Sequence, residues 1–258
     1  MKITFHPGAT ISIYDEYVQA HMMAMDTLDI HGKTAFFPWH RYLVRALELE
    51  LQAINPDVTI PYWDFTVDNQ PDSSLWASDF MGGNGDPDFN DAVTDGPFRQ
   101  GEWELVFDGP DLRRQFGLFT DHLPASGQVR ESMLIENYDT PTWDHGSDVT
   151  QSFRNFMAGW NHPSGDVEMH NRVHAWVGGS MAQMTSPNDP VFWLAHAYLD
   201  RLWAEWEAIH GYDYPERGPY PGHRLYDRLV PFNITPADVL DHHELGYYYD
   251  TELGGGSP

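Results

Sequence analysis

His170-Asn171-Arg172-Val173-His174-Ala175-Trp176-Val177-Gly178-Gly179 sets two histidines four residues apart. Positions i and i+4 of a helix stand side by side, so both imidazoles can reach one metal ion. Val167, Val173 and Val177 share the spacing, and the segment reads as a helix with an apolar stripe that closes at Gly178-Gly179. Alone, such a pair also fits two core histidines bonded to backbone or carboxylate groups. The neighbouring helices decide between the two.

Asp189 and Pro190 suit the N-cap and first helical position of the next helix, whose inward stripe is Trp193, His196, Leu199, Leu202, Trp203 and Trp206. His196 can therefore complete a three-imidazole set with His170 and His174. Upstream, Tyr14, Tyr17, Val18, Met22 and Met25 form a helical stripe that includes His21, opened by Ser12 and Asp15 in the manner of a capping box. Leu43, Val44, Leu47 and Leu51 form another, His40 lies one turn before Val44, and this helix is expected to end near Asn55 and Pro56. His31, before Gly32 on the connecting loop, can fold inward as the third member of a second set. Helical spacing returns at Val149, Phe153, Phe156, Met157 and Trp160.

Imidazole ligands suit zinc, copper, iron and nickel. A di-iron bundle needs inward Glu and Glu-x-x-His motifs, and Glu48 and Glu50 lie beyond the ligand zone. The His-Glu-x-x-His motif of many hydrolytic zinc sites is missing. Two sets of three neutral imidazoles fit a pair of copper ions cycling between Cu(I) and Cu(II). The expected fold is mainly α: a four-helix bundle around a dicopper centre, with long irregular loops and a few short strands.

Between these helices, residues 58–65 are β-prone, and residues 66 to about 146 are rich in Gly, Pro, Asp and Asn. Trp76, Phe80, Phe98, Trp103 and Phe107 in that stretch require burial to order it. Residues 1–258 are expected to form a single domain, with a disordered tail over about 252–258. The hydrophobic fraction of 41% supplies a large core. A formal charge of -25, from 39 acidic against 14 basic residues, repels phosphate and excludes nucleic acid as a partner. No run of about 18 apolar residues suggests a membrane span, and Met1 to Thr10 lacks the pattern of a signal peptide. A soluble protein is expected, with its compartment undetermined. The absence of cysteine removes disulfides, thiolate metal sites and thiol nucleophiles.

The stretches His31-Gly-Lys-Thr-Ala-Phe-Phe-Pro-Trp-His40-Arg41 and His170-Asn-Arg-Val-His174, the latter followed by Ser186-Pro-Asn-Asp-Pro-Val-Phe-Trp-Leu-Ala-His196, resemble the two copper signatures of bacterial tyrosinases. The segments Tyr14 to His21, Pro61 to Asp64, Asp95 to Phe98 and Leu245 to Asp250 also resemble family segments. The resemblance implies that His21, His31 and His40 hold one copper and His170, His174 and His196 the other. It further implies O2 as co-substrate, small phenolic substrates, and oxidation of o-diphenols to o-quinones with some hydroxylation of monophenols. Ala175 and Met184 are expected at the pocket mouth, and Arg41 and Asp200 as structural partners turned away from the metals. His6, His122, His145, His162, His242 and His243 match no ligand position and are expected to be surface or structural residues.

Three departures from the family pattern bear on activity. Ala195 replaces the histidine that often precedes the last ligand, which is expected to widen the pocket. Ala158 stands where many members carry a Glu that, with the residue matching Asn171, holds a water thought to deprotonate the phenol. Asp166 or Glu168 is the expected substitute, and hydroxylation is expected to be weak. No cysteine is available for the thioether to a copper ligand that some members carry, and no C-terminal shielding domain is expected, so the site is expected to be open or capped by a separate copper-delivery partner. The alternatives are an o-aminophenol oxidase, or a hemocyanin-like O2 binder without catalysis.

Overall fold

The computed structural model describes residues 2 and 4–253. Helix α1 (Ile13–Leu28) starts where Ser12 caps it: the Ser12 hydroxyl accepts from Asp15 N at 3.2 Å and donates back to the Asp15 carboxylate. Its buried face is Tyr14, Val18, His21 and Ala24, with Met22 and Met25 at the edge. Helix α2 (Phe36–Ile54) ends at Asn55 as expected. Helix α3 (Ser126–Ser132) is a short addition inside the irregular stretch. Helix α4 (Phe153–Ala158) is shorter than the spacing from Val149 to Trp160 suggests. Ser152 caps its start, and Gly159 ends it with φ +89°, where a Cβ would lie 1.9 Å from the Glu168 carbonyl oxygen.

Helix α5 (Met169–Val177) closes at Gly178, leaving Val167 outside it. Helix α6 (Val191–His210) is the central element. Every residue from Val191 to Asp200 is buried, so the expected single inward stripe is in fact a helix surrounded on all sides. Asp189 still acts as its cap, accepting from Val191 N at 3.1 Å through Oδ1. The structure is mainly helical, with the histidines on α1, α2, α5 and α6 and on the loop after α1.

Strand content is confined, among the described residues, to a two-residue antiparallel pair, β1 (Gly85–Asp86) and β2 (Ala92–Val93), plus isolated bridges. The β-prone segment 58–65 forms no strand, because its donors are taken elsewhere. Ile60 N and Thr59 Oγ1 donate to the Glu48 carboxylate of α2 at 3.0 and 2.6 Å, and Trp63 N donates to the Leu194 carbonyl of α6 at 2.9 Å. In the irregular stretch Trp76 is buried and Phe98, Trp103 and Phe107 pack against the core, but Phe80 is 39% exposed, contrary to expectation. A buried guanidinium organises this region. Arg114 pairs with Asp189 at 2.7 and 2.8 Å and donates to the carbonyls of Met81 and Gly82. The expected disordered tail is partly corrected: Glu252 and Leu253 belong to a 3₁₀ turn, Asp250–Leu253, and residues 254–258 lie outside the described residues.

Arg41 and Asp200 are partners of one another. Arg41 Nε lies 2.5 Å from Asp200 Oδ1, its Nη2 lies 2.9 Å from Glu207 Oε2, and Nη1 donates to the carbonyls of Val239 and Leu240. The guanidinium also stacks 3.7 Å from the Trp203 ring centroid. This pairing joins α2 to α6 one residue after His40 and one turn after His196. Arg41→Ala leaves Asp200 buried beside no cation, and is expected to lower stability by about 3–5 kcal/mol. Urea denaturation followed by circular dichroism measures it, and an unchanged midpoint would show that the pair does not hold the helices.

Candidate metal centre

The sequence stripes bring six histidines to one place. One ligand atom from each of His21, His31 and His40 lies within 4.8 Å of the others, and His170, His174 and His196 form a like group. The two groups face each other: the rings of His40 and His196 stack at 4.2 Å between centroids, and those of His31 and His170 at 5.4 Å.

Four of the rings have their tautomer set by the hydrogen bond at Nδ1. In His21, His40 and His174 this nitrogen donates to the carbonyls of Met184, Phe36 and Met181 at 2.8, 2.7 and 2.6 Å, and in His170 to Asn171 Oδ1 at 3.0 Å. The Nε2 lone pairs of these four are then free. All four are buried and have no hydrogen-bond partner among the described residues, as also holds for His31 Nδ1 and both nitrogens of His196. A buried polar atom without a partner costs about 1–3 kcal/mol, so this many converging in one place suits cation ligands better than ordinary packing. Nitrogen donors with carbonyl-bound second nitrogens are what a transition-metal site requires, and the residues fit copper.

Burial keeps these rings neutral. It pushes His21 down to about 3 and His174 to about 4. Burial, followed by repulsion from neighbouring imidazoles, holds His31, His40, His170 and His196 well below the usual histidine range.

Two phenylalanines that the sequence reading missed wall the centre. Phe192 lies 4.1 Å from His196 and 5.2 Å from His21 between centroids, and Phe36 lies 5.0 Å from His40 and 4.9 Å from His170. Each precedes a histidine of its own helix by four residues, and that spacing was the available signal. His223 was also missed. It accepts from Ala35 N at 3.2 Å and donates to the Leu28 carbonyl at 2.8 Å, and so ties together the ends of the loop that carries His31. Nothing in the local sequence around His223 marks that role. Trp160 holds the same loop by donating to the His31 carbonyl at 2.7 Å.

The other expected site residues are dispersed. Asn171 lies beside His170. The Glu168 carboxylate is held by Arg172 at 2.9 Å, Gln128 at 2.7 Å and Ser164 at 3.0 Å, and Asp166 is exposed. Among the described residues no hydrogen bond joins either carboxylate to Asn171. Ala175 is half-buried beside His174, itself half-buried, and Met184 is exposed with its carbonyl bound to His21 Nδ1. Ala195 is only 2% exposed and packs in the core.

Residues 11–209 match the family profile for the common central domain of tyrosinase. The chain belongs to the tyrosinase family. It is 42% identical over 253 residues to a tyrosinase of Streptomyces glaucescens, which covers 93% of this chain and 89% of that one. It is 37% identical over 278 residues to a grixazone synthase of Streptomyces griseus, covering 92% and 90%. Among solved structures it resembles a polyphenol oxidase variant from Thermothelomyces thermophila, with a TM-score of 0.61 and 25% identity, covering 79% of this chain and 61% of that one. A tyrosinase from Burkholderia thailandensis shares the fold at a TM-score of 0.52 and 18% identity. This member of the family is a type 3 copper oxidase, tyrosinase-like, acting as a copper-dependent phenol oxidase. No helix among the described residues is long and apolar enough to cross a membrane.

The depressed histidine pKa values carry a stability consequence with a definite sign. Below about pH 6.5 the unfolded chain binds protons that the folded, metal-free centre refuses. The stabilisation is complete above that pH and is lost as pH falls, through about 4 for His174 and about 3 for His21. Each proton refused contributes a slope of about 1.4 kcal/mol per pH unit. Glu207, pushed up to about 8 by burial from an ordinary value of 4.5, has the opposite slope over part of this range, but it is one group against six. Thermal melts of the metal-free protein from pH 8 to pH 4 are expected to fall steadily below pH 6.5. A flat profile would contradict the neutral, buried cluster.

Proposed function

We propose that His21, His31 and His40 hold one copper ion and His170, His174 and His196 a second, and that the protein oxidises catechols to o-quinones with dioxygen. The observation that carries this reading is the pair of facing imidazole trios whose lone pairs lack protein partners. The copper pair, when bound, supplies reversible binding and reduction of dioxygen. Each catechol gives up two electrons and two protons, so two catechols match the reduction of one dioxygen to water.

The chain's own groups orient and shield. The carbonyls of Met184, Phe36 and Met181 and the side chain of Asn171 fix ring orientation. Phe36 and Phe192 keep water from the interior side. Substrate approaches at the rim by His174, Ala175 and Met184, where the site meets solvent. Ala195 contributes packing behind His196 instead of a contact. At the entrance no carboxylate among the described residues is hydrogen-bonded to Asn171, so a monophenol must lose its proton without the pairing described for Glu-bearing relatives. Hydroxylation of monophenols is therefore the slow activity, and catechols, which ionise more readily, are the preferred substrates. Copper reaches the buried trios with the help of a separate delivery protein.

Metal analysis and oxygen uptake test this reading. Two copper ions per chain are expected, with L-DOPA turned over more than about tenfold faster than L-tyrosine, the low end of a typical general-base contribution being larger still. Tyrosine turnover equal to that of DOPA would overturn the argument from Ala158. Preference for o-aminophenol would favour the aminophenol oxidase reading, and oxygen binding without turnover the carrier reading. Full self-loading of purified metal-free protein with copper salts would sink the delivery partner.

A further inference from the structure

Outside the six-histidine centre, one cluster has the donors, burial and access of a binding site. Asp241, His242 and His243 each place one ligand atom within 4.8 Å of the others. Glu252, from the 3₁₀ turn Asp250–Leu253, sets its two carboxylate oxygens 2.9 Å from His242 Nε2 and 2.7 Å from His243 Nε2. The two imidazole rings lie 4.1 Å apart between centroids, and Asp241 Oδ1 is 3.2 Å from His243 Nδ1.

His242 is 5% exposed, and its Nδ1 is buried without a hydrogen-bond partner among the described residues. Beside it opens a cavity of 570 Å³ lined by Met133, Ile209, Glu207, His242, His243 and Glu252. Glu207 is buried too, and its Oε1 also lacks a partner there. Two buried polar atoms without partners on one cavity wall are what a wall built for a ligand shows. They are not expected of a histidine pair left on the surface.

We infer that Asp241, His242 and His243 form a separate site for one divalent transition-metal ion of the zinc or copper type, with the Glu252 carboxylate bonded to Nε2 of both imidazoles and so orienting them. Two imidazole nitrogens select such an ion over magnesium or calcium, which take all-oxygen shells. The Asp241 carboxylate meets it directly, and the Glu252 carboxylate on the far side of the two rings balances the remaining charge. Metal–donor distances of roughly 2.0–2.2 Å require the donors to draw in from their present spread. The imidazoles tie the 3₁₀ turn at Glu252 to the turn at Asp241, and the cavity gives the ion a path to solvent. Three protein donors around a single ion make this a mononuclear site, in contrast to the paired trios.

The test uses the copper-loaded protein, dialysed and then titrated with zinc chloride, with bound metal counted by elemental analysis. One zinc equivalent beyond the resident copper is expected, together with a rise in melting temperature. The double variant His242→Ala/His243→Ala is expected to bind this ion more than about tenfold more weakly while keeping its copper content and its L-DOPA turnover. Asp241→Asn, on a half-exposed side chain, serves as a milder variant should the double one misfold, and is expected to weaken the same equivalent. Titration with copper chloride should give an isolated Cu(II) signal in electron paramagnetic resonance with nitrogen coupling, lost in the same variants. Absence of the extra equivalent in the parent protein, or its unchanged uptake by both variants, would overturn the inference.

Discussion

The constraint on which this molecule turns is the burial of six neutral imidazoles, each with a ring nitrogen that has no protein partner among the described residues. Each such nitrogen is costly in a low-dielectric interior, so the apoprotein carries a standing penalty that only a cation can relieve. The remaining structure is arranged to keep that penalty from being relieved by rotation. Carbonyls at Nδ1 prevent three of the rings from turning their lone pairs elsewhere. Phe36 and Phe192 pack against the rings of His40 and His196.

Holding four helices against such a centre needs anchors that do not depend on the metal. Three buried guanidinium groups provide them. Arg41 joins α2 to α6 through Asp200, Arg114 joins the long loop to the start of α6 through Asp189, and Arg154 joins α4 to the segment at Asp139 at 2.9 Å. Each pairs a charge with a charge and gives its remaining protons to carbonyl or side-chain oxygens, the condition under which a buried ion pair is tolerated. Asp200 additionally accepts from the hydroxyls of Tyr247 and Tyr249, which brings the C-terminal segment onto α6 behind His196. The same segment carries the Asp241–His243 turn, so the peripheral cluster is fastened to the helix that supplies the last ligand of the centre.

Much of this was legible along the chain, and the failures share a cause. Helical periodicity carried His21, His40, His170, His174 and His196 onto buried faces, because side chains four apart on a helix share a face whatever the helix packs against. Ser12 and Asp189 act as caps because their hydrogen bonds are local. The segment 58–65 misled: its β-prone residues were right for an extended chain, but the partners of its backbone lie on α2 and α6, and no strand-forming neighbour is near. Val149 and Trp160 fell outside α4, and Phe80 outside the core, for the same reason, since turn geometry and neighbouring surfaces outweigh weak spacing.

What the sequence determined by itself was the helices that carry the histidines, two of their caps, the two histidine trios and the family. These depend on spacing within a few residues and on long motifs, and both survive without knowledge of the fold. Tertiary structure decided which nitrogen of His21 and His174 faces the centre, through the carbonyls of Met184 and Met181. It also decided that Glu168 is consumed by Arg172 and so withheld from Asn171, that His223 braces the His31 loop, and that His242 is buried beside a cavity. Hydrogen-bond partners and desolvation are properties of what surrounds an atom in space, and for His21, His223 and His242 the surroundings come from distant parts of the chain.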